Sequence, residues 1–325
     1  MKKHVKFVCG LVIAASCHIS TSFAEIGQPS DWYLHLDVNG LQKSVLSQQV
    51  DVDSKKGIKF LKLLFGEQVF NKVEFITAFG NANQKKRDKA LLVQGDFTVN
   101  KKQIRERLQQ LGLTKSSEIN QQAIHHGTLK KVLTNLHADA KKAGLIESDK
   151  DIKIKELTEK SEFKESVYAA FTHDDNIIFS NNISEIESLL QDKKASPAET
   201  QPGIFKVVVD IQKAMLHAGI NLDEEAQAFN FESISAKQLS QVSVSYNEND
   251  MDSELQLGLS AETTETATKI KSIVQGLVAL KSLTVKNPAI TNLLANIRFE
   301  QDAGELKVIM SGSVEAFKAL LNGKD

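Results

Sequence analysis

The sequence predicts an α+β fold that is internally duplicated. Each half is expected to be an antiparallel-rich sheet of order β-α-β-β-α-(α)-β-β-α with helices on one face. Three observations lead there. A strand–turn–strand–helix stretch at Ser166–Gln191 has a second version at Asn296–Leu321. In their helices, Ile183, Ile186, Leu189 and Leu190 correspond to Val314, Phe317, Leu320 and Leu321. Both sets follow the spacing i, i+3, i+6, i+7, which puts four apolar side chains on one helical face. Third, an apolar strand ending in aspartate, Trp32–Asp37, returns as Phe205–Asp210.

The chain begins with Lys2, Lys3 and Lys6, an apolar run Phe7–Ala15, and small residues reaching Ser22-Phe23-Ala24. This is the pattern of a bacterial export signal, with cleavage after Ala24 favoured by the small-x-small rule. Ile13-Ala14-Ala15-Ser16-Cys17 partly resembles a lipoprotein processing box, with Ala14 where leucine is usual. Processing there would make Cys17 a lipidated first residue. Either route places the mature chain in the periplasm or cell envelope of a bacterium, and the run is too short to span a bilayer. Cys9 and Cys17 are the only cysteines. Beyond Ala24 there is thus no disulfide, thiolate nucleophile or Cys-based metal site.

The expected organisation is a signal peptide at 1–24, a first repeat at 25–192 with a helical insert at about 112–165, a linker at 193–203, and a second repeat at 204–325. The linker carries Pro197 and Pro202 in a polar segment. In the first half, helix-like Leu41, Val45 and Leu46 follow Asp37. Strands at Val73–Phe79 and Ala90–Phe97 lead into a helix at Lys101–Leu111. The insert holds a helix marked by Leu129, Val132, Leu133, Leu136 and Ala140 and ending near Gly144, with Ile152–Lys155 as an extra strand. In the second half, Ile211, Met215 and Ala218 follow Asp210. Alternation at Val242, Val244 and Tyr246, then at Leu255, Leu257 and Leu259, gives two strands, and Thr266–Leu277 reads as helix. Asn287 before Pro288 is a helix start, an N-cap followed by proline at N1, opening Pro288–Ala295. Gly95 and Gly258 fall near the end of the second strand of each half. Asn182, with Glu185 at N3, forms a capping box for the helix that closes the first half, and Ser313 starts its counterpart.

Charge is uneven. Residues 25–197 carry 26 basic and 24 acidic residues, and 198–325 carry 11 and 17. The balance suits solubility or docking of oppositely charged surfaces. Basic residues gather at Lys85, Lys86, Arg87 and Lys89 and at Lys101, Lys102, Arg105 and Arg107. An export signal makes nucleic acid an unsuitable partner, and solvated loop cations need no ligand.

Candidate chemistry dissolves on inspection. Asp37 and Asp210 could pair for acid–base work, but an aspartate at a strand–helix junction is a favoured N-cap. His173-Asp174-Asp175 would suit a metal, yet it sits where the second copy has a polar turn, Gln301-Asp302-Ala303-Gly304. His125, His126 and His137 lack a ligand spacing, and His35 is expected on the outer face of its strand. Asp250, Asp252 and Glu254 read as a solvated hairpin tip rather than a Ca²⁺ site. Asp51, Asp53 and Gly57 echo a Ca²⁺ loop, but lysines stand at its ligand positions. No GxSxG, phosphate-binding loop, dinucleotide fingerprint or SxxK is present.

The sequence therefore designates no catalytic, cofactor-binding or metal residue. It points to an exported envelope protein that is a non-enzymatic binding or interaction module, with no cofactor. The partner would be an envelope protein or a hydrophobic ligand, with membrane contact only through lipidation at Cys17. The alternatives are a carrier of a lipid or other hydrophobic ligand, its cavity lined from sixteen phenylalanines, and a carboxylate-based hydrolase of an envelope polymer.

Overall fold

Among the described residues of the computed structural model, the period-two patterns become twelve strands and the 3.6-residue patterns eleven helices. The residues described are 30–49, 52–81, 89–144, 165–172, 176–191, 203–218, 238–249 and 252–321. The first half runs β1 (Trp32–Asp37), α1 (Val38–Lys43), α2 (Val45–Gln49), α3 (Val52–Phe65), α4 (Glu67–Phe70), β2 (Val73–Gly80), β3 (Lys89–Gly95) and α5 (Lys101–Gln110). It continues through β4 (Thr114–Ile119), β5 (Gln122–Thr128), α6 (Leu129–Lys142), β6 (Ser166–Phe171), β7 (Ile177–Ser180) and α7 (Ile183–Gln191). The second half holds β8 (Phe205–Asp210), α8 (Ile211–Ala218), β9 (Leu239–Glu248), β10 (Asp252–Ala261) and α9 (Thr264–Thr284). It closes with α10 (Pro288–Ala295), β11 (Arg298–Asp302), β12 (Glu305–Ser313) and α11 (Val314–Leu321). The fold is α+β, and every pairing with a defined register is antiparallel.

The chain forms two compact units that interleave in sequence. One gathers residues 1–51, 79–87 and 197–325, and the other 52–78 and 88–196. In the first unit the strand order is β11-β12-β10-β9-β8-β1. The N-terminal strand thus joins the second half, pairing with β8 from Trp32↔Val209 to Leu36↔Phe205. The α1–α2 segment that follows is fixed by a single carboxylate. Glu248, at the end of β9, accepts from Ser44 Oγ (2.8 Å), from the Val45 N–H and from the Leu46 N–H (3.3 Å). The Tyr246 hydroxyl also donates to it at 2.8 Å and meets Ser253 Oγ at 2.8 Å. Burial, together with that carboxylate, pushes the Tyr246 phenol well above its ordinary pKa, so the hydroxyl stays a neutral donor. Its ring stacks on Phe205 at 5.9 Å and meets Phe317 edge-on at 6.0 Å. Ile204, Leu293 and Ala316 complete that core cluster, with Leu41 and Leu46 packed against it.

The second unit has the order β2-β3-β7-β6-β5-β4. Here the insert differs from the expectation of a helical segment. Its helix is present as α6, capped by Thr128 and ending before Gly144 at φ 67°, but the β4–β5 hairpin precedes it. β4 is exposed along nearly its whole length, so it lacks the apolar alternation that marks a strand. Its turn, Asn120-Gln121, has both residues at positive φ (49° and 65°) without a glycine. The expected strand at Ile152–Lys155 lies outside the described residues.

The two junction aspartates cap helices. Asp37 accepts from the Gly40 N–H at 2.8 Å. Asp210 accepts from the Lys213 N–H at 2.9 Å and pairs with its ammonium at 3.2 Å. Helix α10 has the expected bounds, with Asn287 Oδ1 accepting from the Ala289 N–H at 3.0 Å and proline in the first turn. At α7 the Ser184 N–H binds Asn182 Oδ1 at 3.0 Å, while Glu185 takes the Ser180 hydroxyl at 2.7 Å. Ser313 Oγ accepts from the Ala316 N–H at 3.3 Å to start α11.

Two substitutions separate backbone from side-chain crowding. A Cβ at Gly95 would lie 1.9 Å from the Lys72 carbonyl oxygen, whereas one at Gly258 would meet only the Ser243 hydroxyl, at 2.4 Å. Gly95→Ala is expected to cost roughly 1–3 kcal/mol or more in chemical denaturation, and Gly258→Ala less, because the serine can rotate away. Equal losses would contradict the distinction. Glu248→Ala orphans several donors and is expected to cost roughly 2–4 kcal/mol, with Glu248→Gln recovering part of it by retaining an acceptor oxygen.

Candidate functional site

The chain's distinctive surface is built on α9. Thr263 caps this 21-residue helix, its hydroxyl accepting from the Thr266 N–H at 3.1 Å. The first turns are docked. Thr266, Ala267 and Ile270 are buried, and Ile270 packs with Leu259, Leu306 and Val308. Gln301 Nε2 donates to Thr268 Oγ1 at 2.9 Å, and the Thr266 hydroxyl donates to Gln238 Oε1. At the far end, Val285 is buried as the C-cap and leads into α10.

Between these anchors one face is open. Ile273 is 42% exposed, Leu277 55%, Leu280 63% and Leu283 84%. Steps of four, three and three residues, at 100° each, keep the four within one stripe of about 120°. A Cβ at Gly276, inside that stripe, would meet nothing within 4 Å. The opposite side carries Val274 and Val278, half-buried, with Val274 on the Leu259–Leu306 cluster. The helix is apolar on both sides here, while among the described residues only one side has a partner. The expected helix stopped at Leu277, seven residues short. The missed signal was the run Ile273–Leu283, in which Lys281 is the only charge: an amphipathic pattern shows one apolar stripe, and this run shows two.

The residues weighed as chemistry fall apart. Asp37 and Asp210 lie at opposite ends of the β1–β8 pair, about 20 Å apart at strand rise. Paired catalytic carboxylates need to flank one bond within about 10 Å. His126 stacks on Tyr168 at 4.7 Å and reaches Ser166 Oγ at 3.2 Å. His35 is 5% exposed. The expectation of an outer face fails there because Tyr33 and Leu34 are buried too, so both faces of β1 are covered. Arg107 binds Asp139 at 2.8 Å and the carbonyls of Leu63 and Leu64, and the Arg105 guanidinium lies 5.7 Å from the Phe171 ring. Those two arginines therefore serve packing. Glu254 sits 3.6 Å from Arg298. Among the described residues no group of three His, Cys, Asp or Glu side chains could hold a metal ion. Cys17, Asp51, Lys85–Arg87, His173–Asp175 and Asp250 lie outside the described residues, as does the side chain of Asp53.

No family model and no curated protein matches this chain. Among solved structures, the chain is similar to TP0453 in three crystal forms. Form IV gives a TM-score of 0.43 at 10% identity, covering 96% of this chain and 99% of that one. Form I gives 0.41 at 9% over 92% and 95%, and form III 0.40 at 9% over 93% and 99%.

His125 carries a pH prediction. It is 3% exposed on β5, and neither ring nitrogen has a hydrogen-bond partner. Burial, with Arg105 and Lys115 adding, holds its pKa below the ordinary histidine value. Above about pH 6.5 both folded and unfolded chains leave it neutral. Below that the unfolded chain binds a proton the folded chain resists, so stability falls as pH drops. The unfolding midpoint should decline more steeply from pH 7 to 5 in the parent chain than in His125→Leu. Parallel curves would remove His125 as the source.

Proposed function

We propose that this chain is an exported cell-envelope protein that works as a non-enzymatic interaction module, and that the open face of α9 is its interaction surface. One observation carries the reading: of six exposed large apolar side chains among the described residues, four lie on one stripe of one helix. Isolated exposed apolar residues need no explanation, whereas a contiguous set marks a surface that is covered in use.

We also infer that the two halves are copies of one unit. Counting outward, β9-β10-β12-β11 in one half has the same chain order as β2-β3-β7-β6 in the other. The first strands of the two halves pair with each other, and Leu34↔Val207 lies at the centre of their five-pair register. In this correspondence α9 is the counterpart of α5. Helix α5 has ten residues and the β4–β5–α6 insert follows it, while α9 has 21 and no insert. The exposed stripe lies in the added turns, so it is a feature of the second copy and not a requirement of the fold.

The reading is tested by a photo-crosslinking side chain in the exported full-length protein. At Leu280 it should label a neighbour in living cells, while at Gln275, exposed on the far side of α9, it should not. Equal labelling at both positions, or none at Leu280, would reject α9 as the interaction surface.

A further inference from the structure

We propose that the partner of α9 is the surface of an anionic lipid bilayer, on which the helix lies flat with Ile273, Leu277, Leu280 and Leu283 in the boundary between headgroups and acyl chains. This rests on the reading of α9 as an interaction surface and adds the chemistry of what covers it.

Charge selects the partner. Residues 266–286 contain Lys269, Lys271, Lys281 and Lys286 and no acid. The other residues of 198–325 hold seven basic and seventeen acidic side chains. The open apolar face thus coincides with a basic stretch in an otherwise acidic half. Lys269 lies one turn before Ile273 on the stripe's own side, and Lys281 lies at its edge. Lysines placed so can bury their methylene stems beside the leucines and keep their ammonium groups at headgroup level. Lys269 bonds Glu265 at 2.8 Å, an exposed pair at the helix start.

Dimensions exclude a crossing and disfavour a protein partner. The open stripe, Ile273–Leu283, is about 15 Å long at helical rise, half of a bilayer's hydrocarbon thickness of about 30 Å. No described helix is long and apolar enough to cross a membrane. The four side chains leave on the order of 400 Å² of apolar surface in water, in the range of a functional patch. A stable protein–protein interface takes about 800 Å² from each partner, about twice what this patch offers. A helix held at both ends, with its middle turns standing apolar and flanked by lysine, suits shallow insertion.

The test uses the purified full-length chain and vesicles of phosphatidylglycerol mixed into phosphatidylcholine, against phosphatidylcholine alone. Flotation should show at least tenfold tighter binding to the anionic vesicles, weakening as salt rises. Leu277→Gln/Leu280→Gln should lose at least tenfold without lowering the unfolding midpoint, since both positions are exposed. Lys269→Gln/Lys281→Gln should weaken binding by about fivefold per lysine. The only native tryptophan is Trp32, so a Trp32→Phe/Leu280→Trp reporter should shift to the blue on adding anionic vesicles. Binding that ignores lipid charge, or that survives the double leucine change, would overturn the proposal. No binding to any vesicle, with Leu280 still crosslinking to protein, would reject the membrane and keep the interaction surface. A reporter shift that follows protein concentration without lipid would assign the face to a second copy of the chain.

Discussion

The antiparallel pairing of β1 with β8 is the constraint on which the first unit depends. Five residue pairs bring a strand from the start of the chain beside one that begins at Phe205. Once that register is set, the following residues have little choice. Asp37 falls where it can cap α1, and Ser44–Leu46 arrive at Glu248, whose carboxylate satisfies the backbone donors opening α2. Leu41 and Leu46 then meet the Tyr246–Phe317 cluster. Polar and apolar terms agree at this junction: a half-buried carboxylate without those donors would be costly, and those donors without it would be orphans.

Much of this was legible where local rules act alone. Asn287-Pro288 gave the start of α10, because capping chemistry and proline geometry are decided within four residues. That Trp32–Asp37 and Phe205–Asp210 are strands, each ending in an aspartate that caps the next helix, was legible as well. That the two strands pair was not, since partner choice is a long-range matter that a period-two pattern cannot encode. The β4–β5 hairpin was hidden because its outer strand has no apolar face and its turn uses no glycine. The burial of His35 was hidden for a related reason, because alternation announces one covered face and β1 has two.

The candidate site was the least legible part, and α9 explains why. Pattern reading assumes that an apolar side chain seeks the interior, so an apolar stretch is assigned to the core. In α9 the stretch has two apolar sides and the fold supplies cover for one. Helix α5 sits at the corresponding place in the element order and buries Ile104 and Leu108 under a charged outer face. Side by side, the helices differ in length and in whether the outer face is polar. That contrast depends on which faces the fold covers, and the apolar pattern of neither helix states it.

The interleaving of the two units has a consequence in time. Residues 52–78 and 88–196 of the second unit are complete before β8 leaves the ribosome. The first unit cannot close until Phe205–Asp210 and the strands beyond arrive. Its opening strand must therefore wait, unpaired with β8, for some 170 residues of synthesis. Long-range pairing of this kind forms late and slowly. The chain is built so that its middle matures first and its beginning is finished by its end.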